Sequence, residues 1–488
     1  MATPARSTLR PRLSAIGILW LVAVGVLAAQ PITIAPANTT GIYRLGEAAS
    51  WAIALKAGAS ATGLAYTVKS GGLTVVDSGS LTLSNGKAMI SETATKPDWP
   101  LLEVTGKDGT GASFSALGGA LVSPEKITVS APPPGDFDAF WKARLDELAQ
   151  VPVNAVLTSK PSGVAGVDYS LIQMDNLRGT HIEGQIARPT TGTRFPGLLI
   201  VQWAGVYPLQ PSRVTWRAQQ GWLALNIQAH DIDAVGPQSY YDAESAGPLA
   251  NYPAQGNEDP NTSYFLRMYL ACYRAADYLA SRPDWDGRVL VVTGASQGGL
   301  QALLNASLNP KVTAVVADVP AGCDQSGPDV GRSPGWPQWY NQTWGKDPAK
   351  VRSASRYYDI CNFVFRIRCP ALVGTGLIDT TVPPVGVFAA FNQIRSPREI
   401  VAMPLATHTD NQDAWNTRSE AVLAQLRTGA SPGLSTDADG TLRWTAPCPP
   451  PRRPTRRAPR RSKPPTAPSW PRSSAHRRAP SSATEGTA

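Results

Sequence analysis

Histidine is scarce in this chain of 488 residues: there are four, His181, His230, His408 and His476. Chemistry that needs an imidazole therefore has few places to occur. Cysteine is nearly as rare. The five are Cys272, Cys323, Cys361, Cys369 and Cys448, and no two are spaced as CxxC. This excludes the usual sequence signatures of a zinc site or a thioredoxin-like redox pair, so no metal and no cofactor is expected. An odd count leaves at least one free thiol in an exported chain. Long apolar runs are missing too, except at residues 15–29. That run is interrupted by Gly17 and Gly25, and it is short of the ~20 residues that span a bilayer. Arg6, Arg10 and Arg12 precede it, and Ala28 and Ala29 close it. The pattern reads as a cleavable signal peptide over 1–29, giving a secreted or periplasmic product with no stable membrane anchor.

The excess positive charge is confined to the ends. Of 45 Lys/Arg and 36 Asp/Glu, ten basic residues and one acid lie in 445–488, and three basic residues lie in 1–29. Residues 30–444 thus carry 32 against 35, a net charge of −3. A mildly acidic body gives no reason to expect a nucleic-acid partner. Residues 429–488 are dominated by Pro, Arg, Ser, Thr and Ala and cannot bury a core, so a disordered basic tail is expected there.

Two textures divide the remainder. Residues 30–122 alternate apolar and polar positions in short runs, such as 50–55, 64–68 and 101–104. Ser70-Gly71-Gly72, Ser84-Asn85-Gly86 and Lys107-Asp108-Gly109 separate them. This predicts a small all-β, immunoglobulin-like sandwich. It serves as a spacer or lid, or alternatively as a sugar-binding module; Trp51 and Trp99 suit a core as well as a ligand platform. A linker at 123–135 ends in Pro132-Pro133-Pro134-Gly135. Asp136 is placed to cap an amphipathic helix to about residue 150, with Phe137, Phe140, Trp141 and Leu145 on one face. Over 136–428, apolar strands at 197–202, 221–227, 289–293, 312–317, 371–375 and 399–403 alternate with helices. Such a pattern predicts an α/β domain, a mostly parallel sheet with helices on both faces.

Within this domain, Gly294-Ala295-Ser296-Gln297-Gly298 lies between a strand and a helical stretch. A G-x-S-x-G there forms a nucleophile elbow, whose small residues flank a sharp turn and leave the serine exposed. The N–H of Gln297 then faces a developing oxyanion. The serine needs a base. His408 follows the strand at 399–403, where ligands bind at the C-terminal edge of such sheets. His181 lies in an alternating stretch and suits an edge strand; His476 lies in the tail. The orienting acid should fall between serine and histidine, and Asp379, just past the strand at 371–375, does so. Asp318 is the runner-up. The second oxyanion donor is expected after the strand at 197–202, from the N–H of Val206 or Tyr207, beside Gly205. Trp203 and the segment 335–344, with Trp336 and Trp339, are candidate substrate-binding aromatics; packing of a cap accounts equally well for the latter two.

Residues 126–427 resemble the acetyl xylan esterase and cephalosporin-C deacetylase family, carbohydrate esterase family seven. The resemblance rests on Asp136-Phe137-Asp138-Ala139-Phe140-Trp141, Gly294 through Gly299, Gly376-Leu377-Ile378-Asp379 through Pro384, and Phe388-Ala389-Ala390-Phe391-Asn392. It implies an α/β-hydrolase fold, a Ser296–Asp379–His408 triad and short acyl esters on sugars, or other small esters, as substrates. It also implies a homo-oligomer, although no residue pattern demands one. Two departures mark a divergent branch. The family's Arg-Gly-Gln is replaced by Gln228-Ala229-His230-Asp231, and its His-Glu by His408-Thr409. His230 then has three readings: a structural support for the loop under the site, a metal ligand with Asp231 and Asp233, or an alternative base. The first is preferred. A peptidase of the prolyl-oligopeptidase type shares the triad order, but residues 30–122 are too few for a propeller. A non-catalytic polysaccharide-binding protein is the other alternative.

Overall fold

The computed structural model describes residues 30–429, and the backbone of 432–436 and 442–447. The stretch read as a signal peptide, Cys448 and His476 lie outside the described residues.

Alternation in the N-terminal segment becomes two antiparallel sheets. The strands are β1 (Ile32–Pro36), β2 (Ile42–Tyr43), β3 (Ala49–Leu55), β4 (Ala61–Ser70), β5 (Thr74–Ser80), β6 (Lys87–Glu92), β7 (Leu101–Asp108), β8 (Ser113–Gly119) and β9 (Leu121–Val122). One sheet has the order β1-β3-β6 and the other β5-β4-β7-β8, while β2 and β9 form a short parallel pair. Trp51 and Ile53 from one sheet meet Val68, Leu102 and Val104 from the other in a single core. Trp99 and Leu101 belong instead to the core of the larger domain. Residues 123–135 are not a free linker. Ile127 is buried, and the Pro124 and Ile127 carbonyls accept hydrogen bonds from Asn392 Nδ2 at 2.8 and 2.9 Å.

The larger domain contains helices α1 (Phe137–Ala149), α2 (Ser212–Gln219), α3 (Gln238–Ala246), α4 (Tyr264–Ser281), α5 (Gln297–Leu308), α6 (Pro348–Ser355), α7 (Pro384–Phe391) and α8 (Asp413–Arg427). Its strands are β10 (Val156–Lys160), β11 (Val167–Asp175), β12 (His181–Pro189), β13 (Phe195–Val201), β14 (Leu223–Ile227), β15 (Trp285–Ala295), β16 (Ala314–Asp318), β17 (Ala371–Gly376) and β18 (Arg398–Met403). They form one sheet of order β10-β11-β12-β14-β13-β15-β16-β17-β18. The pairings from β14 to β18 are parallel, and those of β10, β11 and β12 antiparallel. This is an α/β-hydrolase sheet.

Its central strands read as continuous apolar runs because both faces are covered. Leu199, Leu290, Val292, Val315 and Val373 join the core on one face, with α4, α5 and α7. Leu198, Val291, Val316 and Leu372 join the other, with Val214, Trp222, Trp415 and Val422. The order reverses at β13: the next strand, β14, lies on one side of it and β15 on the other. The loops after β13 and β15 therefore face each other across the crevice where such sheets bind ligands.

Three local expectations need correction. Asp136 precedes α1 but makes no side-chain cap. Its backbone, at φ −100° and ψ 10°, is outside the extended region that capping favours, and its carboxylate accepts from the Tyr357 hydroxyl instead. Burial of Phe137, Trp141 and Leu148 holds that helix. His181 is not on an edge strand, since β12 lies between β11 and β14. It opens β12 ahead of the stretch paired with β14, and its Nδ1 lies 3.6 Å from Asp231. Within the segment expected to lack structure, β19 (Pro432–Thr436) and β20 (Leu442–Pro447) form an antiparallel pair; residues 448–488 lie outside the described residues.

Candidate active site

The site is built from three loops at the C-terminal ends of β15, β17 and β18. Ser296 joins β15 to α5 at φ 58° and ψ −121°. Non-glycine residues avoid this region at a cost of order 1–3 kcal/mol, and close packing enforces it here. A Cβ at Gly294 would come within 2.6 Å of the Gly298 backbone. One at Gly298 would meet Val201 O at 2.6 Å, and one at Gly299 would meet Asp318 O at 2.6 Å. The Ser296 N–H donates to Asp318 O at 3.0 Å, which fixes the turn to the neighbouring strand.

Asp379 sits in the turn between β17 and α7 and is fully buried. Its Oδ1 accepts the N–H groups of Thr381 and Val382 at 2.9 and 2.8 Å, and Pro384 then opens α7 at a position where proline loses no helix bond. Its Oδ2 accepts from His408 Nδ1 at 2.8 Å. With that nitrogen protonated, His408 Nε2 accepts from Ser296 Oγ at 2.9 Å. The acid and histidine loops are in direct contact: Ile378 N–H donates to Ala406 O, and a Cβ at Gly376 would lie 2.4 Å from the same oxygen.

Asp318, the runner-up acid, holds the nucleophile turn through its backbone, and its carboxyl makes no bond to His408. The side chain is buried, with Oδ1 unpartnered among the described residues. Burial pushes its carboxyl up to about 7. The charge of Asp379 adds to the rise and that of His408 opposes it.

A second network fixes the loop at 203–207. His230 is buried, and burial pushes its imidazole down to about 4, so it is neutral at ordinary pH. Its Nε2 lies 3.0 Å from Gly205 O, a pure acceptor, so Nε2 carries the proton. Nδ1 therefore accepts from the Tyr264 hydroxyl at 2.6 Å, and Tyr264 in turn accepts from Arg267. On the other side of the loop, Gly205 N–H donates to the Tyr252 hydroxyl at 3.3 Å, which donates to Gln297 Oε1 at 2.6 Å. Tyr252 thus joins this loop to the first residue of α5. The N–H groups of Gln297, Val206 and Tyr207 have no protein acceptor among the described residues, as oxyanion donors require.

His230 is accordingly a loop support. Asp231 faces His181 rather than His230. The described residues contain one group with metal-ligand proximity, Asp324, Asp359 and Cys361, and it is already satisfied internally. Asp324 pairs with Arg332 at 2.9 Å, and Asp359 accepts three backbone N–H groups. Cys272, Cys323, Cys361 and Cys369 are all free and buried.

The candidate aromatics separate. Trp203 is 43% exposed, stacks on Tyr207 at 5.3 Å, and carries the Arg213 guanidinium over its ring. Trp336 is half-buried against Phe265, and its N–H donates to Thr381 O at 2.8 Å. Trp339 cannot contact substrate. It is 1% exposed, lies among Phe265 and Tyr358, and donates its indole N–H to Pro253 O. Sequence reasoning did not find Tyr252, Tyr264 or Arg267. Tyr252 and Tyr264 act through residues distant in the chain, and Arg267 acts through Tyr264, so no local pattern marks their role.

The model of the family described as acetyl xylan esterase (AXE1) matches residues 125–425. The chain belongs to this family. Its activity class is carboxylic-ester hydrolysis, which replaces the peptidase and binding-module readings. The acetyl esterase Axe7A of Xylanibacter ruminicola is 32% identical over 398 residues, covering 80% of this chain and 88% of that protein. Among solved structures, acetyl xylan esterase 1 from Thermoanaerobacterium sp. JW/SL YS485 aligns with a TM-score of 0.54 at 21% identity, over 62% of this chain and 97% of that one. An acetyl xylan esterase from Paenibacillus sp. R4 aligns with a TM-score of 0.53 at 23% identity, over 62% and 98%. These two share the fold.

Two predictions follow from the networks. Replacing His230→Gln or Tyr252→Phe loosens the loop and lowers kcat on an aryl acetate by roughly tenfold, a fraction of the full loss of an oxyanion donor; an unchanged kcat in both contradicts the assignment. Asp318 ionises less readily folded than unfolded, where its ordinary value is 3.8. Its contribution to stability is therefore complete below that value and lost as pH rises through about 7. Asp318→Asn abolishes this loss, so the Tm of the variant minus that of the wild type should grow by roughly 2–4 °C between about pH 5 and pH 8. A difference that stays flat across that range contradicts it.

Proposed function

We propose that this esterase is exported and removes acetyl groups from sugar hydroxyls, with Ser296 as nucleophile, His408 as base and Asp379 as the acid that orients it. The reading is carried by one observation: the unbroken hydrogen-bond chain from Asp379 Oδ2 through His408 to Ser296 Oγ, at 2.8 and 2.9 Å. Transfer of the acetyl substrate class rests on the names of the relatives. Export rests on the pattern of residues 1–29, and no described helix is long and apolar enough to cross a membrane.

Chemistry follows from the positions. Ser296 Oγ attacks the acetyl carbonyl carbon while His408 Nε2 takes its proton. Asp379 keeps the Nδ1 proton in place and stabilises the imidazolium. The carbonyl oxygen gains negative charge and is held by Gln297 N–H and the N–H of Val206 or Tyr207; loss of one such donor typically costs about 100- to 1,000-fold in rate. The tetrahedral adduct expels the sugar oxygen, which takes the proton from His408 and leaves as an alcohol. Water then attacks the acetyl-enzyme with His408 as base, releasing acetate and restoring Ser296. Trp203, the exposed first residue of the oxyanion loop, would meet the sugar at its ring edge, since Tyr207 and Arg213 flank the ring.

The test is acetate release by the purified protein from acetylated xylo-oligosaccharides, acetylated monosaccharides and an aryl acetate. Ser296→Ala should reduce release to background, and Asp379→Asn should lower kcat by about 10⁴-fold. A folded wild-type protein that releases no acetate from any of these contradicts the proposal.

A further inference from the structure

We propose that the N-terminal sandwich is a working part of the active site, with Trp99 as a positioning residue for the catalytic acid. This inference rests on the assignment of Asp379 as that acid. Trp99 lies between β6 and β7, yet it is fully buried in the core of the hydrolase domain. Its indole N–H donates to Leu377 O at 2.9 Å, across 278 residues of sequence. Leu377 stands two residues before Asp379. Its own N–H donates to Met403 O at 3.0 Å, at the end of β18, so both backbone polar groups of this residue are fixed, one by the sheet and one by the sandwich.

Glycines make the approach possible. A Cβ on Gly119, at the end of β8, would lie 1.7 Å from Leu377 O. One on Gly72, whose φ is +68°, would lie 2.1 Å from the Trp99 ring, and one on Gly41 would lie 2.7 Å from Leu377 Cδ1. No L side chain fits at Gly119 without separating the two backbones. A second contact reaches the same loop from another direction. Ser333 N–H donates to Gly71 O at 2.8 Å, and Gly71 N–H donates to Asp98 Oδ1, next to Trp99. Residues 331–336 then lead to Trp336, whose N–H holds Thr381 O, while Thr381 N–H holds Asp379 Oδ1. The sandwich thus touches both approaches to the carboxylate. A misplacement of about 1 Å at a catalytic group can cost about 100-fold in rate, so a contact two residues away has kinetic weight.

The experiment compares wild type, Trp99→Phe and Gly119→Ala on an aryl acetate, with Val104→Ala as a control that weakens the sandwich core away from Leu377. For each, kcat, KM, Tm and the rate of labelling by a fluorophosphonate are measured. Both test variants should lose roughly ten- to a hundredfold in kcat with KM nearly unchanged. Their labelling by the fluorophosphonate should slow in step with kcat, because both reactions need Ser296 activated by a His408 that Asp379 orients. Val104→Ala should lower Tm and leave kcat and the labelling rate intact. If Trp99→Phe does not fold, Gly119→Ala decides. Wild-type kcat and labelling rate in a folded test variant overturn the inference, as does an equal loss in Val104→Ala. A wild type that neither reacts with the fluorophosphonate nor releases acetate overturns the triad assignment, and this inference with it.

Discussion

A backbone conformation that serine avoids is the constraint on which the rest of the site depends. At φ 58° Ser296 turns its hydroxyl out of the sheet, and Gln297 begins a helix with a free N–H. Nothing in the side chain favours this geometry. It is imposed by Gly294, Gly298 and Gly299, which let β13, β15, β16 and α5 approach until no Cβ would fit, and by the burial of nearly the whole of α5. Burying a Leu side chain contributes about 1.5–3 kcal/mol. Leu300, Leu303 and Leu304 alone therefore outweigh strain of order 1–3 kcal/mol.

Around that turn the site is held by contacts between loops rather than within them. The acid and histidine loops share the Ala406 carbonyl. The loop after β13 is tied to α5 through Tyr252 and to α4 through a neutral His230 and Tyr264. Neutrality matters, because one ring nitrogen must donate to Gly205 O while the other accepts from Tyr264. A charged imidazole would present two donors, and the Tyr264 hydroxyl, already receiving Arg267, would lose the acceptor of its own proton. Burial secures the required state. The same chemical group thus does opposite work at two places. His408, partly open, can exchange a proton; His230, enclosed, cannot.

Much of this was legible in the sequence because it is local. The strands from β13 to β18 are short apolar runs bounded by turns, and a G-x-S-x-G between strand and helix has few other uses. Four histidines left little choice of base; chain order admitted both Asp379 and Asp318, and only the bond from His408 Nδ1 to Asp379 separates them. The misreadings share one cause: contacts are decided by partners remote in sequence. Trp339 looks like a ligand platform until Phe265 and Tyr358 close on it. Asp136 looks like a cap until Tyr357 takes its carboxylate. β10 and β11, which extend the sheet, carry no continuous apolar run, and β10 is exposed throughout. The contact of Trp99 with Leu377 spans 278 residues and rests on glycines whose role appears only when the two backbones are seen together.

The central claim is that Ser296 carries the acetyl group between substrate and water. It is tested most directly by acid-quenching the wild-type protein during turnover of an aryl acetate and mapping its peptides by mass. The account predicts one acetyl group per active chain, located on Ser296, that disappears as substrate is exhausted and never forms in Ser296→Ala. An acetyl group on a different residue, or steady turnover by Ser296→Ala, would contradict it.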